Sequence, residues 1–432
     1  MSHINYKGNH LSVEEVLVSD IADKVSTPFY CYSLQSIIDS YSKIKGVFKN
    51  FSPLICYSLK ANSNLAIVKT LANLGSGADV GSEGELRKAL KAGIPPNKIV
   101  FSGVGKSINE ILYALESEIY QFNVESEAEL NFINSIALEK NVKAPITLRV
   151  NPDVDANTHQ KISTGKAKDK FGIAIQNIPA LFEKSKNLNG VELFGLNVHI
   201  GSQIMDNNSF NQAFEKLFKL VELLINNGHS IKRIDLGGGI GIKNRNPNNL
   251  LDLSFLDYPD SKSLDHYGSL IEKHFSSIGC QIILEPGRAI VGTSGILISK
   301  VLYNKVNSDR VFKVIDAGMN DFARPALYDA QHSIIPVKKI DQIIKNKISI
   351  VGPVCESGDE FLTLKEFFDI PQDELIAVLS VGAYGACMSS NYNLRPLISE
   401  VLVNKNKFSL IRERQTYEDL LNRDIIPSWI GS

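Results

Sequence analysis

The chain has 432 residues, more than one hydrophobic core of roughly 250–300 residues accommodates, so two domains are expected. Its 46 basic and 47 acidic residues leave a formal net charge of -1 and are interspersed, which excludes the basic face of a nucleic-acid binder. Five scattered cysteines (Cys31, Cys56, Cys280, Cys355, Cys387) without a Cys-x-x-Cys pair exclude a disulfide framework and a structural zinc site.

No run approaches the roughly 20 apolar residues of a membrane span, and MSHINYKGNH at the amino terminus lacks the apolar centre of a signal peptide. A cytoplasmic protein without a metal site is therefore expected. Lys166, Lys168 and Lys170 form the densest basic spot, which reads as a solvated loop.

From 28 to 288, short apolar runs alternate with longer amphipathic stretches. The predicted strands are PFYCYS (28–33), LICYSLK (54–60), GADV (77–80), KIVFSG (98–103), YQFNV (120–124), ITLRVNP (146–152), LFGLNVHIG (193–201), RIDLGGG (233–239) and QIILEPGR (281–288). SEGELRKALKAG (82–93) and SFNQAFEKLFKLVELLINNG (209–228) are predicted helices; the second spaces Phe210, Phe214, Leu217, Leu220 and Leu223 along one face, and Gly228 is its natural stop. About eight strand–helix units suit a closed parallel (β/α)8 barrel, although periodicity alone also allows an open doubly wound sheet. After Arg288 the texture changes: GILISKVLYNKV, RVFKVIDAG, KISIVGPV and LIAVLSVGAYG read as strands without long helices between them, the pattern of an antiparallel β domain. Residues 1–27 are too few for a domain and are expected to join it. The predicted division is 28–288 as barrel, with 1–27 plus 289–432 as β domain.

Several predicted strands end in polar or glycine-rich signatures: YSLKAN (57–62), NVHIGSQ (197–203), DLGGGIG (235–241) and EPGR (285–288). In a barrel the carboxyl ends of the strands share one face, where active sites sit, so four distant segments converge. Lys60 closes an apolar run; a lysine desolvated at a barrel mouth can act as an amine nucleophile towards an aldehyde, the alternative being a surface lysine at a strand end. Gly237, Gly238 and Gly239 would let backbone amides approach a phosphate, or simply form a tight turn. Ile242 occupies the last glycine of a dinucleotide fingerprint, and Val100 the first glycine of a P-loop ending at Gly105-Lys106-Ser107, so both nucleotide readings fail. Glu285 could protonate a pyridine nitrogen or pair with Arg288. His199 could face a flat ring or be a hydrogen-bonded core residue. In GPVCESGD (352–359), Cys355 could deliver a proton to a carbanion, with Glu356 binding an ammonium; a small buried hydrophobe is the other reading of the cysteine. Arg324 and Tyr328 in MNDFARPALYDA, and Tyr384 in GAYGACMSSNYN, suit carboxylate and phosphate binding or ordinary interface packing.

In that order, YSLKAN, HIGSQ, DLGGGIG, EPGR, MNDFARPALYDA and GPVCESGD resemble the alanine-racemase-like (fold-type III) family of pyridoxal-phosphate-dependent decarboxylases, specifically its diaminopimelate decarboxylase branch. The resemblance spans nearly the full length, from PFYCYS to SNYNLRP. It implies a (β/α)8 TIM barrel with a C-terminal antiparallel β-sandwich or barrel domain. The implied reaction is decarboxylation of meso-diaminopimelate to L-lysine and CO2, the last step of lysine biosynthesis. It further implies that Lys60 is joined covalently to the cofactor, that His199 stacks on its ring, that Ser202 and Gly237 to Gly239 hold its phosphate and that Glu285 faces its nitrogen. Asp79, Pro286, Gly287, Arg288 and Tyr384 complete the implied cofactor site. Arg288, Arg324, Tyr328, Glu356 and Tyr384 would hold substrate, and Cys355 would be the proton donor. Cys355 and Glu356 would reach across from the second subunit of a homodimer with shared active sites. The basic-amino-acid decarboxylases of the class usually carry Cys-Asp where this chain has Cys355-Glu356. The alternatives are a basic-amino-acid or carboxynorspermidine decarboxylase, or a non-catalytic protein of pyridoxal-phosphate homeostasis.

Overall fold

Eight short strands, each followed by a helix, close on themselves in the computed structural model, which describes residues 3–48, 52–156, 159–162, 164–246 and 249–430. They are Leu54–Ser58, Gly77–Val80, Ile99–Phe101, Gln121–Val124, Ala144–Asn151, Val191–Val198, Arg233–Asp235 and Gln281–Leu284. Every neighbouring pair is parallel, and Gln281–Leu284 pairs with Leu54–Ser58 to close the ring. Strands such as Gly77–Val80 are buried throughout because side chains fill the barrel and helices cover it. A closed barrel thus replaces the open sheet that periodicity left possible.

Turn chemistry starts the helices that follow. Ser82, Ser107 and Ser126 each accept a hydrogen bond from the backbone N–H of a glutamate three residues on (Glu85, Glu110, Glu129), and Ser107 with Glu110 completes a reciprocal capping box.

Helix Asn207–Asn226 buries Phe210, Phe214, Leu217 and Leu220 as expected, but Leu223 is exposed and Val221 and Leu224 are buried instead. Over five turns the 3.6-residue period drifts by one position from the sequence pattern. Phe214 packs against Tyr267 and Phe275 of helix Ser261–Phe275, with ring centroids 6.0 and 5.8 Å away. Phe214→Ala should cost about 3–5 kcal/mol in this unit, measurable as a lowered urea midpoint.

The chain divides into one compact unit, Ile38–Ile242 with Pro259–Ile290, and another formed by Met1–Ile37, Lys243–Tyr258 and Val291–Ser432. The second unit is built on a sheet running through Glu360–Leu364, Lys347–Val351, Arg310–Ile315, Gly295–Asn307, Phe29–Ser33, Ser399–Asn404 and Lys407–Arg412. Most neighbours are antiparallel, while Arg310–Ile315 runs parallel to Lys347–Val351, and Phe29–Ser33 parallel to Ser399–Asn404. Ile4–Lys7, His10–Val13 and Val16–Leu17 form a small sheet of their own, and Ile4, Leu11 and Val13 enter the same core as Phe29, Ile296 and Ile298.

Two boundaries differ from the sequence expectation. PFYCYS, expected as a barrel strand, lies in the β unit, where Phe29–Ser33 pairs with Gly295–Asn307 and Ser399–Asn404. Its complete burial is that of a barrel strand, and only the pairing distinguishes the two; the Tyr30 and Tyr32 hydroxyls donate to Asp321 O and Glu400 Oε2 of the same unit. Residues 243–258, expected within the barrel, also belong to the β unit, and Phe255 and Leu256 sit in its core.

Candidate active site

Strand Leu54–Ser58 ends in a single 3-10 turn, Leu59–Ala61, so Lys60 stands just past the strand rather than closing it. Its Nζ lies 2.8 Å from Oδ2 of Asp79, at the end of the neighbouring strand. Ser58 Oγ donates to the same oxygen. Burial alone would raise the Asp79 carboxyl, but the Lys60 ammonium and the hydrogen bonds from Lys60 and Ser58 outweigh it and hold Asp79 below its usual value. The partner is buried, Asp79 being 1% exposed, while the Lys60 side chain itself reaches solvent.

The EPGR segment packs on this turn. A Cβ on Gly287 would meet Ala61 and Ser58 Cβ at 2.9 and 3.0 Å, so only glycine allows the approach. Glu285 takes its side-chain hydrogen bonds from Asn123 Nδ2 (3.0 Å) and Ser102 Oγ (3.4 Å), while Arg288 Nη2 donates to Ser202 Oγ (3.0 Å). Burial raises the Glu285 carboxyl well above its usual value, and Asp235 and Asp79 add to the effect. Asp235 is pushed up to about 6, mainly by burial.

His199 follows strand Val191–Val198, one residue beyond the strand in which it was expected. Its Nδ1 accepts the Gly238 N–H at 3.1 Å, so the ring proton belongs on Nε2. Burial, then the charges of Lys60 and Arg149, hold the ring well below its usual pKa, so it is neutral.

The glycine triplet is wedged between two backbones. A Cβ on Gly238 would lie 2.2 Å from Glu285 O, one on Gly239 2.5 Å from Gly201 O, and Gly237 has φ +64°. Gly237 N–H donates to Asp235 Oδ1 and Gly238 N–H to His199, so of the three amides it is that of Gly239 that is left to face a ligand. This narrows the expected phosphate cradle: two of its amides position side chains.

Lys60, Asp79, His199, Ser202, the glycine triplet, Glu285, Pro286, Gly287 and Arg288 thus all lie at the carboxyl ends of the strands of one barrel. Asp79 Oδ1 and Asn197 Nδ2 are buried there without a hydrogen-bond partner among the described residues, as is Gln121 Oε1 at the start of its strand. An amine, a basic carboxyl, a neutral imidazole, a free amide and an Arg–Ser pair are the donor set that an aldehyde-bearing, phosphorylated pyridine requires.

The remaining expected residues lie in the β unit, where three loops are tied together. Asp359 accepts from Met319 N and Val354 N, both at 2.7 Å, joining the Gly318 and Cys355 loops. Ser390 N–H donates to Asn320 O, and Arg395 Nε to Asn320 Oδ1, bringing in the loop after Tyr384. Cys355 and Glu356 are exposed, which removes the buried-hydrophobe reading of the thiol. Glu356 hydrogen-bonds the Tyr392 hydroxyl, and this bond is the main cause raising that tyrosine. Arg324 is buried, with its guanidinium carbon 5.4 Å from the centre of the Tyr328 ring. Tyr384 has φ +55°, a strained conformation for a non-glycine residue of the kind found at functional sites.

Sequence reasoning missed the layer beneath the barrel site: Asn123, Asp235, Ser102 and Thr147, and the buried pairs Arg149–Glu125 and Lys106–Glu129, both at 2.7 Å. One signal was available. Gln121 and Asn123 alternate with Phe122 and Val124, so a wholly buried strand carries a polar face, which must point into the barrel.

The buried Asp235–Glu285 pair has a pH consequence. A carboxyl whose folded pKa exceeds its unfolded value binds the extra proton only when folded, so stability falls as pH rises between the two values. For Asp235 that window runs from 3.8 to about 6, and Glu285, which burial also raises, contributes with the same sign. In the cofactor-free chain Glu285→Gln should raise the melting temperature relative to the parent more at pH 8 than at pH 5, a difference that the opposing contribution of neutral histidines such as His199 does not touch. An equal pH difference in both proteins would contradict it.

Comparison with known proteins gives consistent matches. The family model for the pyridoxal-binding domain of pyridoxal-dependent decarboxylases matches residues 34–292. The diaminopimelate decarboxylase of Zymomonas mobilis subsp. mobilis is 41% identical, covering 100% of both chains, and that of Aquifex aeolicus 42% identical, covering 96% of each. Among solved structures, diaminopimelate decarboxylase from M. jannaschii in complex with L-lysine has a TM-score of 0.91 at 36% identity and covers 99% of both chains. The Helicobacter pylori enzyme with L-lysine has a TM-score of 0.86 at 41% identity, covering 94% of this chain and 98% of that one.

Proposed function

Because the chain belongs to the pyridoxal-dependent decarboxylases, and within them to the diaminopimelate decarboxylases, we propose that it converts meso-diaminopimelate to L-lysine and CO2, the last step of lysine biosynthesis. Full-length identity to curated diaminopimelate decarboxylases is the observation that carries the substrate, and the Lys60–Asp79 pair beside Glu285 and the glycine triplet is what carries the chemistry.

Bound pyridoxal phosphate supplies an aldehyde that condenses with amines and a ring that accepts the electron pair left when CO2 departs. Lys60 would be the residue that holds the cofactor through its aldehyde, its amine being also the group positioned to release product. Asp79, held anionic, keeps the Lys60 amine oriented. Glu285, made unusually basic by burial, keeps a proton on the pyridine nitrogen. Neutral His199 offers a flat, uncharged face, and Gly239, Ser202 and Arg288 supply donors to the phosphate and to a carboxylate. We assign Arg324, Tyr328, Glu356 and Tyr384 to substrate and Cys355 to protonation of the carbon that loses CO2.

We further propose a homodimer in which Cys355 and Glu356 serve the partner's site. Their exposure supports it, as do Tyr417, Leu421, Ile425, Ile426, Trp429 and Ile430, large apolar side chains left in water near the carboxyl end. Among the described residues no helix is long and apolar enough to cross a membrane, and we propose a cytoplasmic location.

Incubation of the holoenzyme with meso-diaminopimelate should release equimolar L-lysine and CO2. Ornithine, arginine and carboxynorspermidine should be poor substrates by comparison. Preferred turnover of one of those three would move the chain to a sister activity, and turnover of none of the four would favour cofactor storage.

A further inference from the structure

Beneath Glu285 lies a buried polar chain to which neither motif nor family likeness gave a role. Asn123 is completely buried on strand Gln121–Val124. Its Oδ1 accepts from Thr147 Oγ1 at 2.7 Å and Gln121 Nε2 at 2.9 Å; turning the amide over would set its nitrogen against Gln121 Nε2 and its oxygen against the Glu285 and Asp235 carboxyls. Its Nδ2 then faces Glu285 Oε1 at 3.0 Å, Asp235 Oδ2 at 3.2 Å and Ser102 Oγ at 3.0 Å. Two hydrogens serve three acceptors; Ser102, itself a donor to Glu285, is the one that can go without. The strand end is clamped as well, because Lys106 Nζ donates to Asn123 O at 2.8 Å.

We infer that Asn123 is a positioning residue for the reaction, bridging the Glu285 and Asp235 carboxyls so that Glu285 is held in one orientation against the cofactor nitrogen. The inference rests on the reading of Glu285 as the pyridine partner. One amide nitrogen within hydrogen-bond distance of both carboxyls fixes where Glu285 stands relative to Asp235. A neutral amide donates to both while adding no third charge, and it accepts on its other side from Thr147 and Gln121. An aspartate here would add charge, and an aliphatic residue would strand four polar groups in the barrel interior. Asp235 is in turn tied to the glycine triplet through Gly237 N–H at 2.9 Å, so the same bridge couples ring nitrogen and phosphate loop.

A double-mutant cycle tests this in the holoenzyme, reading kcat, KM and, independently of activity, the cofactor dissociation constant of the resolved full-length chain. Asn123→Ala should lower kcat on the order of 10- to 100-fold with KM for diaminopimelate nearly unchanged, and weaken cofactor binding roughly tenfold. In a Glu285→Gln background the same substitution should cost less than about threefold on both readouts, because the group it orients has gone. Asn123→Ser, which keeps a hydroxyl donor, should recover part of each loss and stands in if the alanine variant does not fold. Equal losses in both backgrounds would overturn the inference, since Asn123 would then act on general stability and not through Glu285. If Glu285→Gln alone changes neither kcat nor cofactor affinity, the reading of Glu285 itself has failed, and the inference falls with it for a visibly different reason.

Discussion

Lys60→Ala is expected to abolish decarboxylation, with a loss on the order of 10^4-fold or more, because a covalent step is removed rather than one stabilising contact. Among the described residues the one buried lysine of the barrel, Lys106, cannot take over. It has its three hydrogens committed to Gly103 O, Asn123 O and Glu129 Oε1 at 2.7–2.8 Å. Borohydride reduction of the holoenzyme should leave the cofactor on the peptide containing Lys60, and the variant should carry no label. Label on another lysine, or near-normal turnover, would refute the central assignment.

The same substitution also bears on stability. Asp79 keeps its depressed pKa because of Lys60, so the pair's contribution is present above the ordinary carboxylate value of 3.8 and is lost as pH falls through the lower folded value. The cofactor-free variant should therefore melt below the wild type at pH 7, and the gap should close on acidification. The gap should be modest, since Lys60's side chain is 45% exposed and water screens the pair.

Cys355→Ala carries the second largest expected effect, a loss in kcat of about 10^2- to 10^4-fold, the range for removing a general acid. The thiol is exposed and makes no core contact, so folding should be unaffected. Cofactor absorbance should likewise be unchanged, because the pyridine partner, the phosphate donors and the amine are all on the barrel. Glu356→Gln should behave differently, raising KM more than it lowers kcat, if its carboxylate binds the substrate ammonium. Unchanged turnover in Cys355→Ala would reject the thiol as proton donor and leave the barrel assignment intact.

Much of the site was legible beforehand because its demands are local. A glycine that must approach a backbone and a lysine that ends an apolar run each announce themselves within a few residues, as Gly238 and Lys60 do. The boundary errors have one cause. Phe29–Ser33 is as apolar and as buried as any barrel strand, and burial does not record which neighbour supplies the hydrogen bonds. The drift from Leu223 to Leu224 is the same limitation in a helix, where a small angular error accumulates over five turns.

By itself the amino-acid sequence determined the alternation of strands and helices, the change to a β-rich second half and the amine, carboxyl, imidazole and glycines on which the proposed chemistry depends. Only the tertiary structure decided what stands behind them: that Asp79 pairs with Lys60, that the Gly238 amide sets the His199 tautomer, and that Asn123 spans Glu285 and Asp235. Those contacts join residues up to 162 positions apart. Their existence depends on the closure of the ring of strands, which brings side chains from separate strands within hydrogen-bond distance of one another.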